Sequence, residues 1–223
     1  MFEPLPNEQP QMFVIDGPKA SPVTIVLAHG AGAPMDSGSM GTVVNLLVAA
    51  KLRVVRFEFE YMASRRKSAT KKPPPRADTL KSEYVSAIDM LKAKSPIVIG
   101  GKSMGGRVAS MIADELYSSR QIAGLLCLGY PFHPIGKPEQ LRTGHLADLL
   151  TPTLIVQGTR DPFGTRDEVS SYKLSKMIEI FWLEDGDHDL RLRKSVSGHS
   201  MSDHLNAMAH RVATWANNLK ECR

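Results

Sequence analysis

Ser103 stands between Gly101 and Gly105 in the run IVIGGKSMGGRVA, Ile97 to Ala109. Two chemistries use residues of these types. Gly-Lys-Ser after an apolar run can close a phosphate-binding loop, and Gly-x-Ser-x-Gly can raise a serine hydroxyl from a sharp turn as a nucleophile. The spacing separates them. A phosphate loop needs its first glycine at position 96, which is Pro96, and the residues between read as a strand with no slack to curl around phosphates. The nucleophile template fits: small residues flank Ser103, a strand precedes it, and the helical RVASMIADEL follows.

A serine hydroxyl attacks only when a base takes its proton, and the base, normally histidine, is oriented by a carboxylate. In a strand–turn–helix setting the expected chain order is serine, acid, histidine, each partner following a later strand. The segment GTRDPFG puts Asp161 where the chain leaves an apolar run, ahead of a rigid turn. Asp167 competes, but reads as a solvent-facing or capping residue of the next helix. Further on, EDGDHDL puts His188 in a short acidic turn after another apolar run. His199, His204 and His210 fall too late for the role, and His145 lies inside a long connection. The oxyanion of such an attack needs two backbone N–H groups. Met104 follows the nucleophile and supplies one. Ala31, with Gly32 the next candidate, supplies the other from LAHGAGAPMDS, where His29 reads as a residue that braces the loop.

These groups meet only if strands deliver them to one rim. Strands are expected at Met12–Ile15, Val23–Ala28, Val54–Phe59, Ile97–Gly100, Ile122–Leu128, Thr153–Gln157 and Ile178–Leu183. Most are short and continuously apolar, as strands covered on both faces should be. Helices are expected at Thr42–Ala50, Ala77–Ala93, Ser103–Tyr117, Arg166–Leu174 and Met201–Leu219. Leu80, Tyr84, Ile88 and Leu91 recur at helical steps on one face. The alternation predicts a mostly parallel, doubly covered sheet of about seven strands in a single domain spanning 1–223. The connection 131–150 is expected to hold one short helix and to act as a minimal lid, with Tyr130 and His133, beside Gly32, as candidate pocket residues.

Composition narrows the class further. With 42% hydrophobic and 23% charged residues, a chain of 223 residues has the balance of a globular domain. No run reaches the roughly 18 apolar residues of a membrane span, and MFEPLPNEQPQ lacks the basic start and apolar core of a secretory signal. Two cysteines, Cys127 and Cys222, without ligand spacing, predict neither a disulfide framework nor a metal site and suit a reducing, cytoplasmic compartment. The net charge of +5 is concentrated in RRKSATKKPPPR, Arg65 to Arg76. That stretch reads as a solvated loop; the competing function is a non-catalytic module binding a protein or nucleic acid through it. The lack of interleaved aromatics weakens the single-stranded nucleic-acid reading.

Together these segments resemble the α/β-hydrolases, and among them the dienelactone-hydrolase-like group that includes testis-expressed and NSL-complex-subunit type proteins. The resemblance covers nearly the whole chain, through LAHGAGAPMDS, FEFEYM, KKPPPR, GGKSMGGRVAS, GYPFHPIGKPEQLR, QGTRDPFG and DGDHDL. The elbow and GTRDPFG are shared by many hydrolases, whereas HGAGAPMD and YPFHPIGKPE carry the narrower likeness. It implies an α/β-hydrolase fold, a Ser103–His188–Asp161 triad, a small-molecule acyl substrate such as an ester, and no cofactor or metal. Dienelactone hydrolases proper use a cysteine nucleophile, so a serine at 103 departs from that activity.

Overall fold

Each of the seven expected apolar runs forms a strand in the computed structural model, which describes residues 13–67, 73–193 and 200–219. Met12, the acidic N-terminal stretch, His199 and Cys222 lie outside the described residues. The strands are β1 (Val14–Asp16), β2 (Thr24–Ala28), β3 (Arg53–Phe57), β4 (Ile97–Lys102), β5 (Gly124–Leu128), β6 (Thr153–Gly158) and β7 (Ile178–Leu183). They form one sheet in the order β1-β3-β2-β4-β5-β6-β7, parallel except for β1, which pairs antiparallel with β3. The chain runs one way from β2 to β3 and the other way from β4 onward. The loops leaving β2 and β4 therefore diverge and leave a crevice at their carboxyl ends, the place where such sheets bind ligands.

Both sheet faces are covered, which explains the unbroken apolar strands. Val26 and Ala28 of β2 point into a first core, and Ile25 and Leu27 into a second, by the two-residue alternation of a strand. The first core contains α3 (Lys81–Leu91), α4 (Met104–Ser110) and α5 (Ala113–Ser118); the second contains α1 (Gly38–Ala49) and α7 (Met201–Asn218). A 3₁₀ turn, Ala77–Leu80, leads into α3, where Tyr84, Ala87 and Ile88 are buried. Ser200 starts α7 with a capping box to Asp203, and His204, Met208, Val212 and Trp215 form its buried stripe. The remaining helices are α2 (Glu60–Lys67) and α6 (Arg166–Ser170).

Three expectations are corrected. The basic stretch is not all loop: Arg65, Arg66 and Lys67 close α2, while residues 68–72 lie outside the described ones. The single helix expected from Ser103 to Tyr117 is two, interrupted at Met111–Ile112. The connection 131–150 holds only the 3₁₀ turn Gly144–Leu146, and its Phe132, Leu146 and Leu149 belong to the first core. Asp114 of α5 anchors its end by accepting from the main-chain N–H groups of Leu150 and Thr151.

Candidate active site

Ser103 is the hinge between β4 and α4, and its backbone sits at φ 52°, ψ −115°. A non-glycine residue is strained there, and the surrounding chain must impose the conformation. It does so from both sides. The Ser103 N–H donates to Leu128 O of β5 at 3.0 Å, and Ser103 O accepts from Arg107 N at 3.0 Å. The turn is tight enough that a Cβ on Gly101 would lie 2.4 Å from Ala28 O, and one on Gly105 would lie 2.5 Å from the same atom. Only glycine fits either position, the physical content of the Gly-x-Ser-x-Gly spacing.

The Ser103 hydroxyl donates to His188 Nε2 at 2.9 Å, and His188 Nδ1 donates to Asp161 Oδ2 at 2.8 Å. Asp161 is fully buried after β6, and its other oxygen accepts from the Phe163 N–H at 2.9 Å. Phe163 also packs on the His188 ring, with centroids 4.3 Å apart. Arg160 joins the loops that carry Asp161 and His188: its N–H donates to Gly186 O at 3.1 Å and its Nε to Asp185 O at 2.8 Å. Asp167 is exposed on the first turn of α6, whose cap is Thr165.

The loop after β2 faces this relay. His29 is fully buried, and its Nε2 accepts from the Phe59 N–H at 3.2 Å. The proton therefore sits on Nδ1, which donates to Gly30 O at 2.7 Å. Burial holds the imidazole below its ordinary pKa of 6.5 and so keeps it neutral. The Tyr61 hydroxyl also reaches Gly30 O, at 3.4 Å, and Ala31 O, at 3.2 Å. Burial raises the Tyr61 phenol to about 12, which preserves it as a donor. In a trans peptide the N–H points opposite to the preceding C=O. The Ala31 N–H is thus turned away from the His29 and Tyr61 donors. Met104 opens α4, where its N–H has no acceptor within the helix.

Farther along the loop, Arg66 ties α2 to β3 and residue 36. It pairs with Glu58 at 2.7 Å and with Asp36 at 2.6 Å. Met35 is held at both ends of its peptide unit, donating to Glu58 Oε1 at 3.2 Å and accepting from Arg56 at 3.0 Å. Part of the basic stretch thus carries charge already matched within the fold.

A cleft of about 300 Å³ opens at Ser103 and His188. Gly30, Ala31 and Gly32 form one side, and Met40, Val43, Leu128 and Leu190 give it an apolar wall. Tyr130 and His133 do not line the cleft. Tyr130 is fully buried with its hydroxyl on Arg142 O, and His133, also buried, turns Nδ1 to Pro134 O. No residue of 131–150 lines it either, because that segment packs with α4 in the first core while α1 borders the cleft. Sequence reasoning missed Lys102, Phe163, Met40 and Val43 as lining residues. Among the described residues, no three histidine, cysteine or carboxylate side chains are arranged to hold a metal ion.

Residues 21–217 match the alpha/beta hydrolase domain family. The chain belongs to that family. Solved structures with the same fold include an alpha-beta serine hydrolase homologue from Coxiella burnetii. It is 18% identical, with a TM-score of 0.62, over 96% of this chain and 99% of that one. A dienelactone hydrolase from Anabaena variabilis is 20% identical, with a TM-score of 0.64, over 91% of this chain and 89% of that one. A serine hydrolase without lid from Xanthomonas campestris is 16% identical, with a TM-score of 0.62, over 92% and 88%. At these identities the likeness establishes the fold of this alpha/beta hydrolase. Among its described residues no helix is long and apolar enough to cross a membrane.

Proposed function

We propose that this alpha/beta hydrolase is a serine esterase acting on small carboxylic esters. The reading rests on the unbroken hydrogen-bond series from Ser103 through His188 to Asp161, at a cleft open to a substrate. Ser103 Oγ attacks the ester carbonyl carbon while His188 Nε2 takes the hydroxyl proton. The Met104 and Ala31 N–H groups hold the resulting oxyanion. As the carbon–oxygen bond to the alcohol breaks, His188 returns the proton to the leaving oxygen, and the acyl group remains on Ser103. Water then attacks, His188 takes its proton, and the carboxylic acid departs with Ser103 restored. Asp161 stays ionised, holding Nδ1 protonated and stabilising the imidazolium.

The cleft also bears on the substrate. Its volume is near the lower end of the roughly 300–1,000 Å³ usual for small-molecule sites, and its wall at Met40, Val43, Leu128 and Leu190 is apolar. We assign this wall to a short acyl chain. The narrower kinship with the NSL-complex-subunit type proteins rests on HGAGAPMD and YPFHPIGKPE, and the buried free thiol of Cys127 suits a reducing, cytoplasmic setting.

A fluorophosphonate probe, which forms a stable adduct with an activated serine, tests the reading. Folded wild type should label and Ser103→Ala should not. An unlabelled wild type, or equal labelling of Ser103→Ala, overturns it. Nitrophenyl esters of graded acyl length should show a preference for short chains.

A further inference from the structure

Lys102 makes contacts that no step above uses. It ends β4 immediately before Ser103, and its side chain is 19% exposed on the cleft wall. Its Nζ donates to the main-chain carbonyl of His188 at 2.6 Å and lies 3.5 Å from Asp189 Oδ1. One end of β4 therefore grips His188 twice, at the ring through Ser103 and at the backbone through Lys102. The ring's position depends on that backbone, because His188 lies in a turn beyond β7 outside the sheet ladder. Gly129 closes over the contact: a Cβ there would lie 3.2 Å from Lys102 Nζ and 3.4 Å from His188 Nδ1.

Removing an ammonium from water is costly. Burial holds Lys102 below the usual lysine range, against the opposing pull of Asp189, Asp161 and Asp187. A lysine stem could fill this space without reaching a carbonyl, and here it reaches the carbonyl of the base itself.

We infer that Lys102 is a positioning residue that, through the His188 carbonyl, holds the imidazole within reach of Ser103. The inference rests on the serine esterase reading. Its effect belongs to the chemical step: a displaced base slows proton transfer and leaves substrate binding as it was.

Lys102→Met fills similar space without the amine. Its kcat for a nitrophenyl ester should fall about 10–100-fold, the scale of an ångström-sized misplacement, with KM within about twofold. Lys102→Cys should be similarly slow. Alkylating its thiol with bromoethylamine builds a thioether analogue of lysine and should restore most of kcat. Wild type treated with the same reagent controls for Cys222, and Cys127 is shielded by burial. Thermal melts establish folding; if Lys102→Met does not fold, Lys102→Gln, a donor one atom shorter, replaces it with an intermediate kcat expected. Three results overturn the inference while leaving the esterase reading intact: unchanged kcat in Lys102→Met, a loss confined to KM, or complete alkylation without recovery. A wild type that neither labels nor turns over any ester sinks the parent reading instead.

Discussion

Gln157 donates from Nε2 to Oδ2 of Asp161 at 2.9 Å, the same oxygen that accepts a hydrogen bond from His188 Nδ1. Both residues are fully buried at the end of β6. The other end of the Gln157 amide accepts from the Tyr130 N–H at 2.7 Å. A neutral side chain thus ties the ends of two adjacent strands together and supports the carboxylate that accepts from His188.

Replacing Gln157 by leucine keeps the bulk and removes a partner from the Tyr130 N–H, from one side of Asp161 and from the carbonyls of Tyr130 and Gly164. An unsatisfied buried group costs about 1–3 kcal/mol. Denaturant unfolding of Gln157→Leu should show a loss of that order with an unchanged slope, together with slower fluorophosphonate labelling.

Asp161→Asn preserves shape and removes the charge. The amide can offer N–H to His188 Nδ1, which favours the wrong imidazole tautomer, and in other triads this change costs about 10⁴-fold in turnover. Ester hydrolysis should fall by about 10³–10⁴-fold in the folded variant. A loss below tenfold would remove Asp161 from its assigned role.

His29 gives the fold a pH dependence. Burial lowers its imidazole below the ordinary 6.5, so between the folded value and 6.5 the unfolded chain binds more protons than the folded one. Stability therefore rises with pH through this window, is complete above it, and is lost as pH falls toward the folded value. His145, also lowered mainly by burial, adds in the same direction. The melting temperature should drop on acidification from about pH 7.5 to about pH 5.5. His29→Asn, which cannot titrate, should melt lower at the upper pH and change less across the range.

Val43 projects from α1 onto the cleft wall and is only partly buried. Val43→Phe should block the far part of the apolar wall. Relative to acetyl esters, kcat/KM for hexanoyl esters should fall by about tenfold or more, the scale of one or two misfit methylenes. An equal effect on both would move the acyl site elsewhere.

The strands were legible because burial on both faces leaves an unbroken apolar run, a pattern that needs no knowledge of neighbours. The relay was legible because glycines that the elbow requires flank Ser103, and because Asp161 and His188 follow strands in the expected order. Helix α2 was hidden: Met62 is its one buried residue, and ion pairs from Arg66 to Asp36 and Glu58 anchor it. The Asp36 partner lies 30 residues away in the chain, and what the stretch itself displays most plainly is a run of basic residues. Gln157 reads as a polar interruption at a strand end until the fold brings Tyr130 and Asp161 to it. Tyr130 and His133 misled for the opposite reason. They follow β5 at the active rim, but the chain then turns into the first core, away from α1.

Residues 135–141 are exposed on the excursion that leaves the cleft uncovered. A peptide tag or a whole second protein spliced there, near Gly136 with its φ of 71°, would hang from the scaffold without shading Ser103. The cleft at Ser103 could therefore stay open while this outgrowth carries a fused protein to a target.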